Sequence, residues 1–151
     1  MIAVYRCVLI NMSFVASFTA EAQKFAKKQL LETESRMILL QETNQSCTWT
    51  DVEFLRTANA QLLECRLVLK FTYAFGYYLT EQTKQKELFE FHQSTLERYT
   101  ETLSELVEKS NEEIDRDRVK VIDATRFADQ FMKKMLQYVE DGMDESEEIQ
   151  D

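Results

Sequence analysis

The chain has 151 residues, with no proline, two glycines and a formal net charge of −9. This length fits one domain, and the scarcity of the strongest helix breakers favours a few long helices over many short strands. The negative charge argues against nucleic acid and anionic membranes as partners, because both attract basic patches. We therefore predict an all-α fold, an antiparallel bundle of about four long helices.

Residues 1–20 differ in composition from the rest of the chain. Arg6 is the one basic residue, an apolar run extends from Cys7 to Phe18, and small residues including Ala20 follow. This outline is typical of a secretory signal peptide, although the run is short for a membrane span. An amphipathic lead-in helix and the non-native start of a truncated chain are the alternatives.

The first long helix is predicted over Glu21 to Asn44. An apolar stripe at helical spacing supports it, with Phe25 and Leu31 on the flanks. The polar residues from Thr43 to Cys47 form a turn, and so short a connection places the next helix antiparallel beside the first. The predicted stripe consists of Ala22, Ala26, Leu30, Thr33, Met37 and Leu40.

The second helix, Thr48 to Leu79, is the longest periodic stretch and the predicted centre of the bundle. Thr48 and Asp51 have the spacing of a capping box. The helix is apolar on most of its circumference, so it needs neighbours on several sides. Its stripe consists of Val52, Leu55, Ala58, Leu62, Cys65, Leu69, Thr72 and Leu79, widened by Phe54, Leu63, Phe71, Phe75 and Tyr78.

Two further helices are predicted, from about Leu88 to Lys109 and from about Val119 to Val139, with the charged residues 110–118 as a break between them. Gly142 is placed to end the last helix, and the acidic residues that follow are too polar to join a core. The third helix carries the stripe Phe89, His92, Leu96, Tyr99, Leu103 and Leu106, and the fourth carries Val121, Ala124, Ala128, Phe131, Met135 and Tyr138.

The sequence offers little for catalysis or metal binding. His92 is the only histidine, on an apolar stripe where a histidine at the edge of the core is the usual case. The three cysteines, Cys7, Cys47 and Cys65, form no metal-ligand cluster and no CxxC pair. No glycine-rich loop is present to hold a phosphate. We therefore predict no catalytic residue, no metal ligand and no cofactor in this chain.

The second helix also carries a specific set of motifs. TWTDVEFL at residues 48–55, the single positions Ala58, Leu62, Cys65, Arg66 and Leu69, and FTYAFGYYL at residues 71–79 form a pattern. This pattern resembles the C-terminal Ariadne domain of the Ariadne group of RING-between-RING (RBR) ubiquitin ligases. The resemblance covers roughly residues 21–142. It places the motif residues in the structural core: Trp49, Phe54, Leu55, Leu62, Cys65, Leu69, Tyr73 and Tyr77.

The resemblance implies a domain division and a cellular context. Residues 1–20 become a divergent or non-native lead-in, residues 21–142 an Ariadne-like helical domain, and residues 143–151 an acidic disordered tail. Members of the family are intracellular, which favours the divergent lead-in over a signal peptide and implies a cytoplasmic protein, with the nucleus as a second location. The zinc-binding RINGs and the acceptor cysteine of such ligases are not in this sequence, so zinc is expected only in those RING domains.

In the family, the Ariadne domain folds back on the catalytic RING and covers its cysteine. Release typically follows engagement of a neddylated cullin-RING ligase. The resemblance therefore implies three partners: the catalytic RING of the same ligase, a neddylated cullin-RING ligase, and a ubiquitin-conjugating enzyme. The chain itself would be a C-terminal regulatory fragment of the ligase.

The covering surface of the family matches this chain at Phe25 and at Glu101 in TETLS, whereas Ala26 replaces an acid. Helical spacing directs Glu101 away from the apolar stripe and therefore outward. Phe25 flanks a stripe, so burial within the bundle is the alternative for it. Because an alanine cannot make a charged hydrogen bond, typically worth about 1.5–3 kcal/mol, we expect Ala26 to weaken such a clamp.

Two other functions stay open at this point. A free-standing helical interaction module would keep the domain without the RINGs. A secreted helical-bundle protein would explain residues 1–20 and predicts a Cys47–Cys65 disulfide. If both cysteines are helical, they lie about 27 Å apart by helical rise, far beyond disulfide reach, which weakens the secreted alternative.

Overall fold

The computed structural model describes the backbone of residues 12–43, 48–79 and 83–143, and their side chains from Lys24 onward except that of Ala26. Residues 1–11, residues 44–47 with Cys47, residues 80–82 and residues 144–151 of the acidic tail lie outside this part. Within it the chain is helical without a strand, which confirms the all-α fold class. The helices are α1 (Met12–Thr43), α2 (Trp49–Tyr78), α3 (Lys84–Val107), α4 (Asn111–Arg116) and α5 (Arg118–Glu140).

Helix α2 is the centre of the bundle, as its apolar circumference predicted. It packs against α1, α3 and α5, whereas the short α4 makes only a few contacts, with α1 and α5. At its start, the carboxylate of Asp51 accepts hydrogen bonds from the backbone N–H and the hydroxyl of Thr48, at 2.9 and 2.7 Å. The predicted capping-box residue therefore satisfies a donor at the helix start and places a negative charge near the positive end of the helix dipole.

The core follows the predicted stripes most closely on α2 and α5; on α3, Phe89, Leu96 and Leu103 are buried, but His92, Tyr99 and Leu106 are only partly buried. On α2 every predicted position from Val52 to Thr72 is buried, while Leu79 is only partly buried. The α5 stripe is buried except for Phe131, which is partly buried, and α1 contributes fewer side chains than predicted. The side chains buried on α1, α3 and α5 are Thr33, Met37, Leu40, Phe89, Leu96, Thr100, Leu103, Ser104, Val107, Val121, Ala124, Thr125, Ala128, Met132, Met135 and Tyr138.

Pairs of contacts fix the direction of the helices. Arg66 contacts Ser104 and Tyr73 contacts Glu97, so advancing along α2 means going back along α3. These two helices are therefore antiparallel. Because the connection between α1 and α2 is equally short, the same holds for that pair, and α1 consequently runs parallel to α3.

Glycine ends the last helix, as predicted. Gly142 has φ +78°, a left-handed conformation that favours glycine. The N–H of Gly142 donates to the carbonyl of Val139 at 3.1 Å, and the N–H of Met143 donates to the carbonyl of Tyr138 at 3.0 Å. This pair of bonds is the Schellman arrangement, which satisfies carbonyls left open at a helix end.

Helix boundaries and one element differ from the sequence predictions. Helix α1 begins at Met12 rather than Glu21, and α3 begins at Lys84 rather than Leu88, with the Thr83 hydroxyl accepting from the N–H of Lys86. The predicted break at residues 110–118 contains α4, with Ser110 and Glu113 forming a capping box. The break was expected because of its charge, but charge does not prevent helix formation once a cap satisfies the first N–H groups.

Six individual placements differ from the sequence predictions. Phe71, predicted to widen the α2 stripe, is 46% exposed. Leu30 is 38% exposed, because α1 has begun to project from the core at this point. Trp49, Tyr73 and Tyr77 are 43, 50 and 83% exposed, so assigning them to the core is wrong. Tyr78 is also exposed. The other motif residues keep the predicted role: Leu55, Leu62, Cys65 and Leu69 are buried, and Phe54 is partly buried and packs against the core.

Candidate protein-interaction surface

An open groove runs between α2 and α3, and Glu101 lies on its rim. The groove is lined by Arg66, Leu69, Lys70, Tyr73, Glu97, Thr100 and Glu101. The side chain of Glu101 is exposed, as helical spacing predicted. Among the described residues it makes no hydrogen bond or ion pair, so its carboxylate is available to a donor from another protein.

Three other polar side chains of the groove, Arg66, Tyr73 and Glu97, form hydrogen bonds between α2 and α3. The Tyr73 hydroxyl donates to Oε1 of Glu97 at 2.6 Å. Nη2 of Arg66 donates to the hydroxyl of Ser104 at 2.7 Å, and that hydroxyl donates to Oε1 of Glu108 at 2.9 Å. Arg66 is therefore held along the α2–α3 boundary rather than turned to neutralise Glu101.

The hydrogen bond to Glu97 changes the acidity of Tyr73. Glu97, with smaller contributions from burial and from Glu101, raises the pKa of the Tyr73 phenol to about 12. A tyrosinate at this position would face two carboxylates, which explains the direction. The phenol therefore remains neutral and continues to donate to Glu97 at physiological pH.

Phe25, the second predicted surface residue, lies on α1 and is 46% exposed. This excludes full burial inside the bundle, the alternative raised for it. Phe25 precedes Arg36 by eleven residues, about three helical turns, so the two side chains leave α1 on the same side. Arg36 contacts α3, and Phe25 therefore lies on the side of α1 that is turned toward α3.

Three hydrogen bonds from Arg36 join α1 to the end of α3 and the start of α4. Nη1 donates to the carbonyl of Val107 at 2.6 Å, Nη2 to the carbonyl of Lys109 at 2.6 Å, and Nε to Oδ1 of Asn111 at 3.0 Å. Carbonyls at a helix C-terminus lack helical partners, and a guanidinium suits them because it presents several donors in one plane. Sequence reasoning did not single out Arg36; its position next to buried Met37 was the one available signal.

The heights of Phe25 and Glu101 along the bundle are similar. From the Arg36 contact, Phe25 lies about 16 Å back along α1, and Glu101 lies about 9 Å before Val107 along α3. Both distances run in the same direction, because α1 and α3 are parallel. No contact joins the two side chains directly. By this count the two residues differ in height by about 7 Å, on two helices that flank α2.

Other reactive groups in the described residues have structural surroundings. Cys65 is a free, fully buried thiol whose pKa is raised by burial, and its sulfur contacts the carbonyl oxygen of Ala128. His92 packs against the ring of Tyr138, with 5.1 Å between ring centres. Within the described part of the chain, no group of three or more His, Cys, Asp or Glu residues is arranged to hold a metal ion. No helix there has the length and apolar character needed to cross a membrane.

Comparison with known proteins gives a consistent family. The family model described as "Ariadne domain" matches residues 11–150. The E3 ubiquitin-protein ligase ariadne-1 of Drosophila melanogaster is 34% identical over 126 residues, which are 82% of this chain and 24% of that protein. The human E3 ubiquitin-protein ligase ARIH1 is 32% identical over 124 residues, 81% of this chain and 22% of that protein.

One match covers fewer residues but has a higher sequence identity. The E3 ubiquitin-protein ligase dbl4 of Schizosaccharomyces pombe is 44% identical over 77 residues, which cover 51% of this chain and 15% of that protein. The chain therefore spans about a quarter or less of the length of the curated relatives it matches.

Proposed function

The chain belongs to the Ariadne domain family, and we propose that it is the regulatory domain of an RBR E3 ubiquitin ligase. In this role it covers the cysteine of the catalytic RING of the same ligase and so restrains ubiquitin transfer. The observation that carries the proposal is the position of Glu101: an exposed carboxylate without a described partner, on a groove where Arg66, Tyr73 and Glu97 already form hydrogen bonds.

Phe25 supplies the apolar part of the proposed contact. A ring that is 46% exposed loses water contact when another domain covers it, and burying aromatic area is favourable. Glu101 adds a charge that a donor on the RING can satisfy. An apolar anchor next to a polar acceptor is a common arrangement at interfaces between domains.

The relatives are named as ubiquitin ligases, which supports a role in the ubiquitin pathway. We propose that a neddylated cullin-RING ligase competes with the catalytic RING and releases the domain, and that a ubiquitin-conjugating enzyme supplies the ubiquitin. The protein would then work in the cytoplasm and also in the nucleus. Catalysis and zinc binding would belong to the RING domains, not to this chain.

The test is ubiquitin discharge by the ligase that carries this domain. The variants Phe25→Ala and Glu101→Ala should raise basal discharge, because each removes part of the covering contact. Glu105→Ala is the matched control for Glu101: it lies one turn further along α3, is exposed, and has no described partner. Leu31→Ala is the control for Phe25, since Leu31 is 64% exposed on another side of α1.

Discharge equal to that of the native ligase for both Phe25→Ala and Glu101→Ala would refute the proposed covering role. An increase that the two controls show equally would refute the assignment of these two residues to the surface.

Ala26 allows a test in the opposite direction. Its side chain lies outside the described residues, but the family pattern has an acid at this position. We expect Ala26→Glu to lower basal discharge by adding an acceptor beside Phe25. Unchanged discharge would show that an acid at position 26 contributes nothing in this chain.

A further inference from the structure

We propose that Arg36 is a positioning residue that sets where the Phe25 part of the surface lies relative to the Glu101 part. The role of this positioning in regulation rests on the proposed function. The effect of Arg36 on the angle of α1 does not depend on it and can be measured in this chain alone. Phe25 and Glu101 can act together only if α1 is held at a fixed angle to α3. Arg36 joins α1 to the last residue of α3, to the following turn and to the first residue of α4 through three hydrogen bonds.

The described residues of α1, from Lys24 onward, anchor it through a short buried stretch. The whole helix has 32 residues, about 48 Å at helical rise. The buried side chains described on it are Thr33, Met37 and Leu40, which span only about 10 Å. From Lys24 to Glu32 the described side chains are exposed, apart from the half-buried Gln29. Phe25 therefore lies outside the buried stretch that the described residues of α1 show.

Because Phe25 lies outside this buried stretch, its position is sensitive to the tilt of α1. Phe25 lies about 16 Å from Arg36 along the axis, so a tilt of about 15° at the anchor would move it by roughly 4 Å. Displacements of about an ångström already matter for a preorganised contact. The contacts that fix the tilt of α1 consequently decide whether Phe25 faces the same partner as Glu101.

Apolar packing limits this tilt less well than directional bonds do. Thr33, Met37 and Leu40 hold α1 against α2, but the Thr33 hydroxyl is used within α1, where it donates to the carbonyl of Gln29. Every hydrogen bond described from an α1 side chain, from Lys24 onward, to another element comes from Arg36. Its acceptors lie on two sides of the α3–α4 turn, so the planar guanidinium resists rotation about more than one axis.

The test measures the angle of α1 in this chain by itself. Spin labels are placed at Lys27→Cys on α1 and Glu105→Cys on α3, two exposed residues without described partners. Cys7 and Cys47 are changed to serine, and buried Cys65 is retained. Pulsed dipolar spectroscopy then gives the distribution of distances between the labels in the native background and in the Arg36→Met, Arg36→Lys and Arg56→Met variants.

We expect the distribution to be at least twice as wide in Arg36→Met as in the native chain. Arg36→Lys should be intermediate, because an ammonium keeps the charge but cannot reproduce the planar set of donors. Arg56→Met removes an exposed arginine of α2 that has no described partner and should leave the distribution unchanged. Far-UV circular dichroism checks that each variant remains helical.

A distribution in Arg36→Met that is as narrow as in the native chain would overturn the proposal. If Arg36→Met does not fold, Asn111→Ala decides instead, because it removes one of the three acceptors and leaves the arginine in place. A native distribution in both Asn111→Ala and Arg36→Lys would likewise overturn it.

A different set of results would refute the proposed function but leave the positioning role of Arg36 intact. In that case the Arg36 variants still broaden the distance distribution, while Phe25→Ala and Glu101→Ala leave ubiquitin discharge unchanged. If both proposals hold, Arg36→Lys raises discharge as well, although Arg36 itself does not contact the RING.

Discussion

The hydroxyl of Tyr73 donates a 2.6 Å hydrogen bond to Oε1 of Glu97, which joins α2 to α3 beside the groove that Glu101 lines. Tyr73 was expected in the core, but half of its side chain is exposed and its polar end makes the contact. The carboxylate that accepts this bond also raises the pKa of the phenol to about 12. The contribution of this pair to the free energy of unfolding therefore depends on pH.

Tyr73→Phe should lower stability at pH 7 by less than about 1 kcal/mol, because solvent competes for an exposed hydrogen bond. The pKa of Tyr73 rises on folding from the ordinary 10.0 to about 12, so the stabilisation is complete below pH 10 and is lost as pH rises toward 12. Urea unfolding at several pH values measures this. Tyr77→Phe, at an 83% exposed tyrosine, is the control. If the free energy of unfolding changes with pH equally in the native chain and in Tyr73→Phe, the raised pKa of Tyr73 is contradicted.

Asp117 gives the opposite dependence on pH. Its carboxylate lies 2.8 Å from Nζ of Lys120 and 2.9 Å from Nζ of Lys109, and these two ammonium groups lower its pKa to about 2. Because the folded pKa lies below the ordinary 3.8, the stabilisation is present above that pH and is lost as pH falls toward 2. Asp117→Asn should therefore flatten the loss of stability in this range.

The control for Asp117 is Asp115→Asn, which removes one carboxylate two residues away at an exposed position without a described partner. Acid unfolding followed by circular dichroism compares the variants. If Asp115→Asn flattens the acid transition as much as Asp117→Asn does, the two lysine contacts are not the cause.

His92 is the only histidine, so its titration can be followed without ambiguity by NMR. Burial, with a smaller contribution from Lys134, lowers its pKa below the ordinary 6.5. The neutral ring is therefore favoured by folding, and stability should fall as pH drops below 6.5. Lys134→Gln should raise the pKa of His92, whereas Lys133→Gln, with the same change in net charge, should raise it less. A pKa at or above 6.5 in the native chain would contradict this prediction.

Leu55 tests the central role of α2. It is fully buried, so Leu55→Ala should cost about 2–5 kcal/mol of unfolding free energy through lost burial and the cavity that remains. Leu31→Ala, at a 64% exposed leucine on α1, should change the same quantity by less than about 0.5 kcal/mol. Urea unfolding of both variants gives the comparison, and similar costs for the two would mean that α2 does not form the core described.

Local spacing predicted much of the fold. The stripe from Val52 to Thr72 was correct at each position, because a long helix surrounded by neighbours must bury one continuous face. The Thr48–Asp51 cap and the Gly142 stop were also predicted, since each depends on one or two residues in contact with their own backbone. The outward direction of Glu101 followed from the same periodicity.

Predictions for the aromatic residues were less successful. Trp49, Tyr73 and Tyr77 carry the family pattern, yet all three are largely exposed. Their burial depends on whether another helix covers that side of α2. The hydrophobicity of a side chain does not predict which side its helix neighbours cover. Tyr73 also shows how an exposed tyrosine can contribute to a helix interface, because its hydroxyl donates a hydrogen bond to Glu97 on α3.

The sequence by itself determined the four long helices, most of their buried faces and the family, because these depend on local spacing and on motifs along one chain segment. Only the tertiary structure decided how far α1 projects from the core, which groups leave Glu101 without a partner, and that Arg36 bonds to carbonyls 71 and 73 residues away. Such contacts join residues that have no relation along the chain. They arise when helices packed by their apolar faces bring polar side chains into reach of one another.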